Sequence, residues 1–402
     1  MKINIITDIR CAFFYFFVVV CLGVFLRLVY VMPIPFEYNY RYVLHAHSHI
    51  AFLGWIYVLL VGLISREFIP IENVKKYRLL FYLTQISVFG MFFSFLFQGY
   101  GVYSIVFSSI FVLLSYIYSY FFLKKSKDKI LVAEKEDKCD SISFRFVKMG
   151  VFYLILSSLG IWSIPLSIIK FGKDSDFYNA SIAFFLHFQY NGWVLSSLMG
   201  LFVKKFGWDL KFPQLVKKLF YGFQLAVVGT LVVSWLGIFN LTEFYVIGGF
   251  SGIIWLIMIL ILSYLYFFRT SEKSLLATLF LLFFILKVCV MIFGIVLNVF
   301  KPVFNNPDLI ISYLHLNFLG VINFGLLFIV SSYELLKINK WSVFVYLLAF
   351  VITELLIAYK GLLLWLDLPF FDAYFLYLAI GSILFLPPVL YWCVLSLKLK
   401  KE

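Results

Sequence analysis

Charge is scarce in this chain. Of 402 residues, 13% are Asp, Glu, Lys or Arg, against 64% hydrophobic and 22% aromatic. A soluble globular protein carries about 25% charged and about 45–50% apolar residues. The balance argues against a soluble enzyme, a nucleic-acid-binding domain and a disordered protein. Cysteine is sparse, and Cys11, Cys21, Cys139, Cys289 and Cys393 form no CxxC pair. Four of them sit in apolar runs, which argues against a disulfide framework or a zinc knot. There is no Walker A loop, no Rossmann glycine fingerprint and no HExxH. The basic residues are not interleaved with exposed aromatics, so no nucleic-acid partner is expected. The expected partner is the lipid bilayer.

What the chain does have is apolar length. Runs long enough to cross a bilayer, about 20 residues each, recur between charged or Pro/Asn-rich breaks. Twelve are read at 11–32, 43–65, 79–97, 102–123, 149–169, 179–203, 219–240, 244–268, 275–299, 310–332, 342–365 and 373–397. Continuous runs of this length rule against an outer-membrane barrel, whose strands alternate over about ten residues. The fold class is therefore all-α: one polytopic membrane domain over 1–402 with twelve transmembrane helices. Numbering the connecting segments alternately places 26 of the 33 Lys and Arg on the side of the N-terminus and four on the other. By the positive-inside rule both termini are expected in the cytoplasm. A bacterial inner membrane is the expected location. The mixed-charge stretch 124–148 reads as a cytoplasmic loop.

The five histidines carry the main signal. His45, His47 and His49 open the second run, His187 lies in the sixth and His315 in the tenth. His49 and His187 are each followed five residues later by Gly-Trp (Gly54, Gly192), and His315 five residues later by Gly320. The separations, 138 and 128 residues, are each close to four spans. A long fixed period points to an internal repeat. Three four-helix pseudo-repeats are read at about 1–123, 149–268 and 275–397. His49, His187 and His315 lie roughly 8–12 Å from the outer edge at 1.5 Å per residue. Intramembrane ionisable residues are functional candidates, and neutral imidazole suits iron, copper and zinc. The candidate haem or metal ligands are thus His49, His315, His187, His45 and His47. Gln189, Tyr190, Asn191 and Asn317 are expected to support them by hydrogen bonds. Gly54, Gly192 and Gly320 could let a flat cofactor, or another helix, come close.

This pattern resembles the catalytic subunit of haem–copper oxidases and nitric oxide reductases, and is similar to the NnrS group of membrane haem–copper proteins. The resemblance covers the chain in topology and three segments in motif. It implies a low-spin haem whose axial ligands are His315 and one of His45, His47 or His49, with His49 favoured. It also implies copper on His187. The seventh run has no histidine, the tenth has one, and Asn191 stands four residues after His187. The site implied is therefore one haem, or one metal on His187 with part of the His45–His49 cluster, rather than a complete binuclear centre. The function implied is electron transfer or the handling of nitric oxide or oxygen, as an oxidoreductase component of a respiratory chain, with a cytochrome or other redox partner on the outer face.

Two further charges lie in mid-span. Lys287 in the ninth run and Glu354 in the eleventh fall at matching depth, and are expected to form an intramembrane pair. Arg27 and Lys360 lie nearer the span ends and are expected to snorkel. Two competing readings remain. One is a proton-coupled secondary transporter or metal permease, with the outer histidines capturing a cation. The other is a non-catalytic assembly or sensor subunit.

Overall fold

In a computed structural model, residues 2–126, 141–300, 303 and 305–400 are described. The protein is an all-α polytopic membrane protein. Eleven helices are long and apolar enough to cross a membrane, among the described residues. They are α1 (Ile6–Leu28), α2 (Tyr40–Phe68), α3 (Val74–Gln98), α4 (Val102–Lys125), α5 (Ile142–Phe171), α7 (Pro213–Trp235), α8 (Thr242–Arg269), α9 (Leu275–Val296), α10 (Pro307–Ser332), α11 (Lys340–Trp365) and α12 (Tyr374–Leu397). The sixth expected span is a continuous helical stretch over 176–206, here α6. It is the most polar of the twelve because it carries His187, Gln189 and Asn191, all buried.

Helix ends overrun the apolar runs. Helix α5 starts at Ile142, seven residues before the expected 149, and takes in Arg145 and Lys148. Backbone hydrogen bonds continue into the headgroup zone, where charged side chains are solvated. Of the expected loop 124–148, residues 127–140 lie outside the described residues, and the flanks are helical to Lys125 and from Ile142. Helix α12 breaks between Ile383 and Leu386, because Pro387 and Pro388 have no N–H to carry the ladder.

The chain divides into two compact units. One comprises Met1–Lys127, Val330–Lys360 and Pro369–Glu402; the other comprises Asp128–Ile329 and Gly361–Leu368. In the first, Phe16 stacks on Trp55 at 4.4 Å and lies 6.5 Å from Trp392, whose Nε1 donates to Ser342 Oγ at 2.9 Å. That aromatic column joins α1, α2, α11 and α12. The N-terminal residues are held by charge. Lys2 donates to both Glu67 carboxylate oxygens at 2.6 and 2.7 Å, Arg78 pairs with buried Asp8, and Arg10 donates to the Leu399 carbonyl. In the second unit Phe202, Phe206, Trp208, Tyr266, Phe280 and Phe328 form one aromatic cluster. Large apolar side chains also cover the outside, as bilayer contact requires; Phe97 is 80% exposed and Ile169 81%.

Candidate functional site

Each of the three singled-out histidines sits at the same kind of backbone junction. His49 ends an α-helical segment and is followed by a π-helical stretch, Ile50–Tyr57. His187 is followed by the π-helical stretch Phe188–Val194, and His315 by Leu316–Ile322. Well under 1% of residues in soluble proteins are π-helical, and such stretches concentrate at functional sites. The recurrence therefore marks these three positions more strongly than the histidines do alone. Nothing in the residue types within the stretches announces the wider turn.

The glycine five residues on has a local reason. A Cβ at Gly54 would lie 2.9 Å from the Tyr15 ring of α1, and a Cβ at Gly192 2.7 Å from the Tyr153 ring of α5. Tyr153 and Gly192 each follow Tyr15 and Gly54 by 138 residues, the same offset as His187 from His49. Gly62 and Gly200 share that offset too, and meet the Cβ atoms of Asp8 and Phe146, both at 3.1 Å. Asp8 and Phe146 are again 138 apart. Two helix pairs, one in each unit, are thus built on one local plan. Of the two neighbours expected at Gly54 and Gly192, a flat cofactor or another helix, it is a tyrosine of the adjacent helix that lies against each glycine.

In the first unit, His45 and His49 share one face of α2, as i,i+4 spacing dictates. The His49 ring stacks on Phe95 at 4.3 Å, and its Nε2 lies 2.9 Å from the Tyr100 hydroxyl. His45 meets the edge of the same tyrosine at 4.6 Å. Tyr100 stands in the α3–α4 turn between Gly99 and Gly101. Gly99 has φ +57°, and a Cβ there would lie 2.5 Å from the Tyr42 ring, so the turn that aims Tyr100 at the histidines needs glycine. His47 points away: its Nδ1 bonds the Val19 carbonyl on α1 at 3.0 Å, beside Gly23. Sequence reasoning missed both: Tyr100 is a turn residue with no periodicity, and Phe95 is one of many phenylalanines in an apolar helix.

In the second unit, His187 is 1% exposed and both ring nitrogens are engaged. Nε2 is 2.8 Å from the Val227 carbonyl on α7. A carbonyl only accepts, so Nε2 carries the proton and Nδ1 is left as an acceptor. Asn191 Nδ2 donates to Nδ1 at 3.2 Å, and Ser234 Oγ lies 3.1 Å from it. Val227 is available because α7 changes from α-helical to 3-10 spacing at Thr230. The other end of the Asn191 amide, Oδ1, accepts from Lys287 Nζ. Lys287 is 0% exposed and its Nζ lies 4.4 Å from the Trp255 ring centre, with Tyr190 and Phe284 at 5.5 and 5.3 Å. The result is a buried polar chain, Lys287–Asn191–His187–Val227, set among aromatic faces that attract a cation.

The remaining candidates fall as follows. Gln189 donates to Ser157 on α5 at 2.8 Å, and Asn317 to the Tyr313 carbonyl on its own helix at 2.6 Å. Neither of these bonds goes to a histidine. His315 is half-buried at its π junction, and Gly320 is buried within the stretch. Lys287 and Glu354 fall in different units. Within the second unit the partner of Lys287 is an amide, that of Asn191. Lys360 lies 5.5–5.9 Å from the rings of Phe370, Tyr374 and Phe375.

Copper does not fit His187. Its protonated nitrogen is spent on a carbonyl and its lone pair on an amide. No group of three or more His, Cys, Asp or Glu residues able to hold a metal ion occurs among the described residues. His49 differs, because one hydrogen bond to a loop hydroxyl holds its Nε2, an interaction worth about 1 kcal/mol that an axial ligand bond could replace. No family model and no curated protein matches the chain.

Proposed function

We propose that this is a haem-binding integral membrane protein, similar to haem–copper oxidase catalytic subunits and the NnrS group, that serves electron transfer or the handling of nitric oxide or oxygen. The observation that supports it most is the shared placement of His49, His187 and His315, each at the start of a π-helical stretch. His49 is the favoured ligand, and His315, in the second unit, is a separate candidate; His187 is instead linked to Lys287 through Asn191. A bound haem would supply one-electron exchange, or gas ligation at an open axial position. The chain's own contribution at His49 is orientation: Phe95 fixes the ring plane and Tyr100 the direction of Nε2. The excess of Lys and Arg on one side supports cytoplasmic termini; a bacterial inner membrane and a cytochrome or other redox partner on the outer face belong to the same proposal.

The test is an optical spectrum of the purified protein, reduced minus oxidised, with iron and copper measured on the same sample. Haem bands at one equivalent or fewer are expected, and His49→Ala should remove at least nine-tenths of them. His187→Ala should leave haem content within a factor of two, and copper should be absent from all samples. Protein that folds without haem when haem is supplied during expression ends the proposal.

A second reading has an observation of its own. The Lys287–Asn191–His187 chain joins two titratable groups inside the membrane, as a proton-coupled transporter would require. Reconstituted vesicles under an imposed pH gradient should then take up protons when substrate cation is added, and Lys287→Met should abolish the uptake. Uptake unaffected by that change removes this chain from any coupling role.

A further inference from the structure

Three tyrosines and an amide line a small cavity in the first unit. It has about 10 Å³ of space for the centre of a water molecule and is bounded by Tyr57 on α2, Tyr77, Thr84 and Gln85 on α3, and Tyr118 on α4. That is the size of a single water site. Both amide atoms of Gln85 are buried, and neither has a hydrogen-bond partner among the described residues. Buried polar groups in native proteins are nearly always satisfied, so an amide with both ends bare beside a water-sized space points to an occupant. The partners required of an internal water, two to four polar groups, are on the wall.

The cavity continues a polar chain that starts at the surface. Arg78, with its side chain 21% exposed, pairs with the Asp8 carboxylate, which is 0% exposed. Tyr77 donates its hydroxyl to the same carboxylate. On the other wall, the Tyr118 hydroxyl lies 3.0 Å from Ser65 Oγ. Asp8 is near the start of α1, Tyr77 near the start of α3 and Ser65 near the end of α2, so they share one end of the helix group. Gln85 and Tyr57 each lie eight residues further along their helices, about 12 Å deeper at 1.5 Å per residue. Tyr57 is the last residue of the π-helical stretch that begins after His49.

We propose that this cavity holds one ordered water, and that the water links Asp8 and Tyr77 to Tyr118 and Tyr57 as a chain of exchangeable protons. Asp8, once protonated from the surface, gives its proton to the Tyr77 oxygen as the Tyr77 O–H bond breaks toward the water, and the water exchanges in the same way with Tyr118 and Tyr57. The proton displaced from each phenol returns by the same chain to the surface, so every proton that enters at Asp8 is matched by one that leaves there, with no redox partner involved. The chain runs from the Arg78 surface to the far edge of the His49 π stretch. This inference does not depend on haem.

The test uses full-length protein in lipid nanodiscs, with tyrosine labelled at Cζ and glutamine at its side-chain nitrogen. After transfer to deuterium oxide, Cζ isotope shifts report hydroxyl exchange. The Tyr57 and Tyr118 hydroxyls are expected to exchange although both residues are buried, and the Gln85 amide should show magnetisation transfer from water. Gln85→Leu fills the cavity and Tyr77→Phe breaks the entry; each should slow exchange at Tyr57 at least tenfold while leaving Tyr100 unchanged. A wild-type protein without water transfer to Gln85 overturns the proposal, and this reading stands even if a variant fails to fold. Exchange at Tyr57 that is unaltered in both folded variants overturns it as well.

Discussion

Asn191→Leu is expected to be among the most destabilising single changes in the protein, by about 2–5 kcal/mol, since it leaves two buried polar groups without a hydrogen-bond partner at about 1–3 kcal/mol each. The leucine removes the acceptor of the Lys287 ammonium and the donor to His187 Nδ1 at once. Lys287 is 0% exposed, so it cannot turn to water for compensation. The double change Asn191→Leu with Lys287→Met takes the lysine's polar head away together with its partner, and should recover at least half of the loss. Denaturant or SDS titration of purified protein in mixed micelles measures both. A double variant no more stable than Asn191→Leu alone would show that the lysine does not depend on this amide.

Gly160→Val is expected to reach a comparable size from a different cause. A Cβ at Gly160 on α5 would lie 2.5 Å from the Ser181 carbonyl and 2.9 Å from the Phe185 amide nitrogen on α6. Both are backbone atoms, which no rotamer change can move. The two helices must separate, and overpacking of this kind costs roughly 1–3 kcal/mol or more. Gly249→Ala on α8 is the matched control: its nearest neighbour, a side-chain atom of Ile295, would be at an ordinary 3.7 Å. It should stay within about 0.5 kcal/mol of wild type. Thermal unfolding followed by exposure of the apolar-run cysteines checks both, and equal midpoints for the two variants would rule out close α5–α6 approach at this level.

The helix inventory was legible from sequence because a bilayer demands long apolar runs and tolerates little else. The stretch over 176–206 shows the converse, since the polar residues that make α6 chemically interesting also dilute its apolar signal. The histidine period was readable too, and so was its offset of 138. What the glycines in that period are for was not. Gly54 and Gly192 meet tyrosines 39 residues earlier in the chain, and a contact at that separation has no local signature. The same holds for Asp8, which in sequence is one acidic residue before an apolar run and in space is the partner of Tyr77 and Arg78. Within its own unit Lys287 meets Asn191 from α6, a partner that matching depths could not name, because counting residues gives height along the normal but not azimuth around a helix.

A π-helical stretch is an α-helix carrying one surplus residue, so it acts as a phase shift between the two halves of a span. Residues before the stretch in α6 present one set of positions to α7, and residues after it present a set rotated by about 100°, the turn per residue. Deleting a single residue between His187 and Leu195 would restore uniform helix and keep the span's composition. It would also swing one half of α6 against the other, so that the His187 and Ser196 sides could no longer both face α7, where Val227 and Gln224 now meet them. The surplus residue thus sets which chemistry each half of the span faces, and a change in chain length by one, rather than any substitution, is the edit to which these three helices are most exposed.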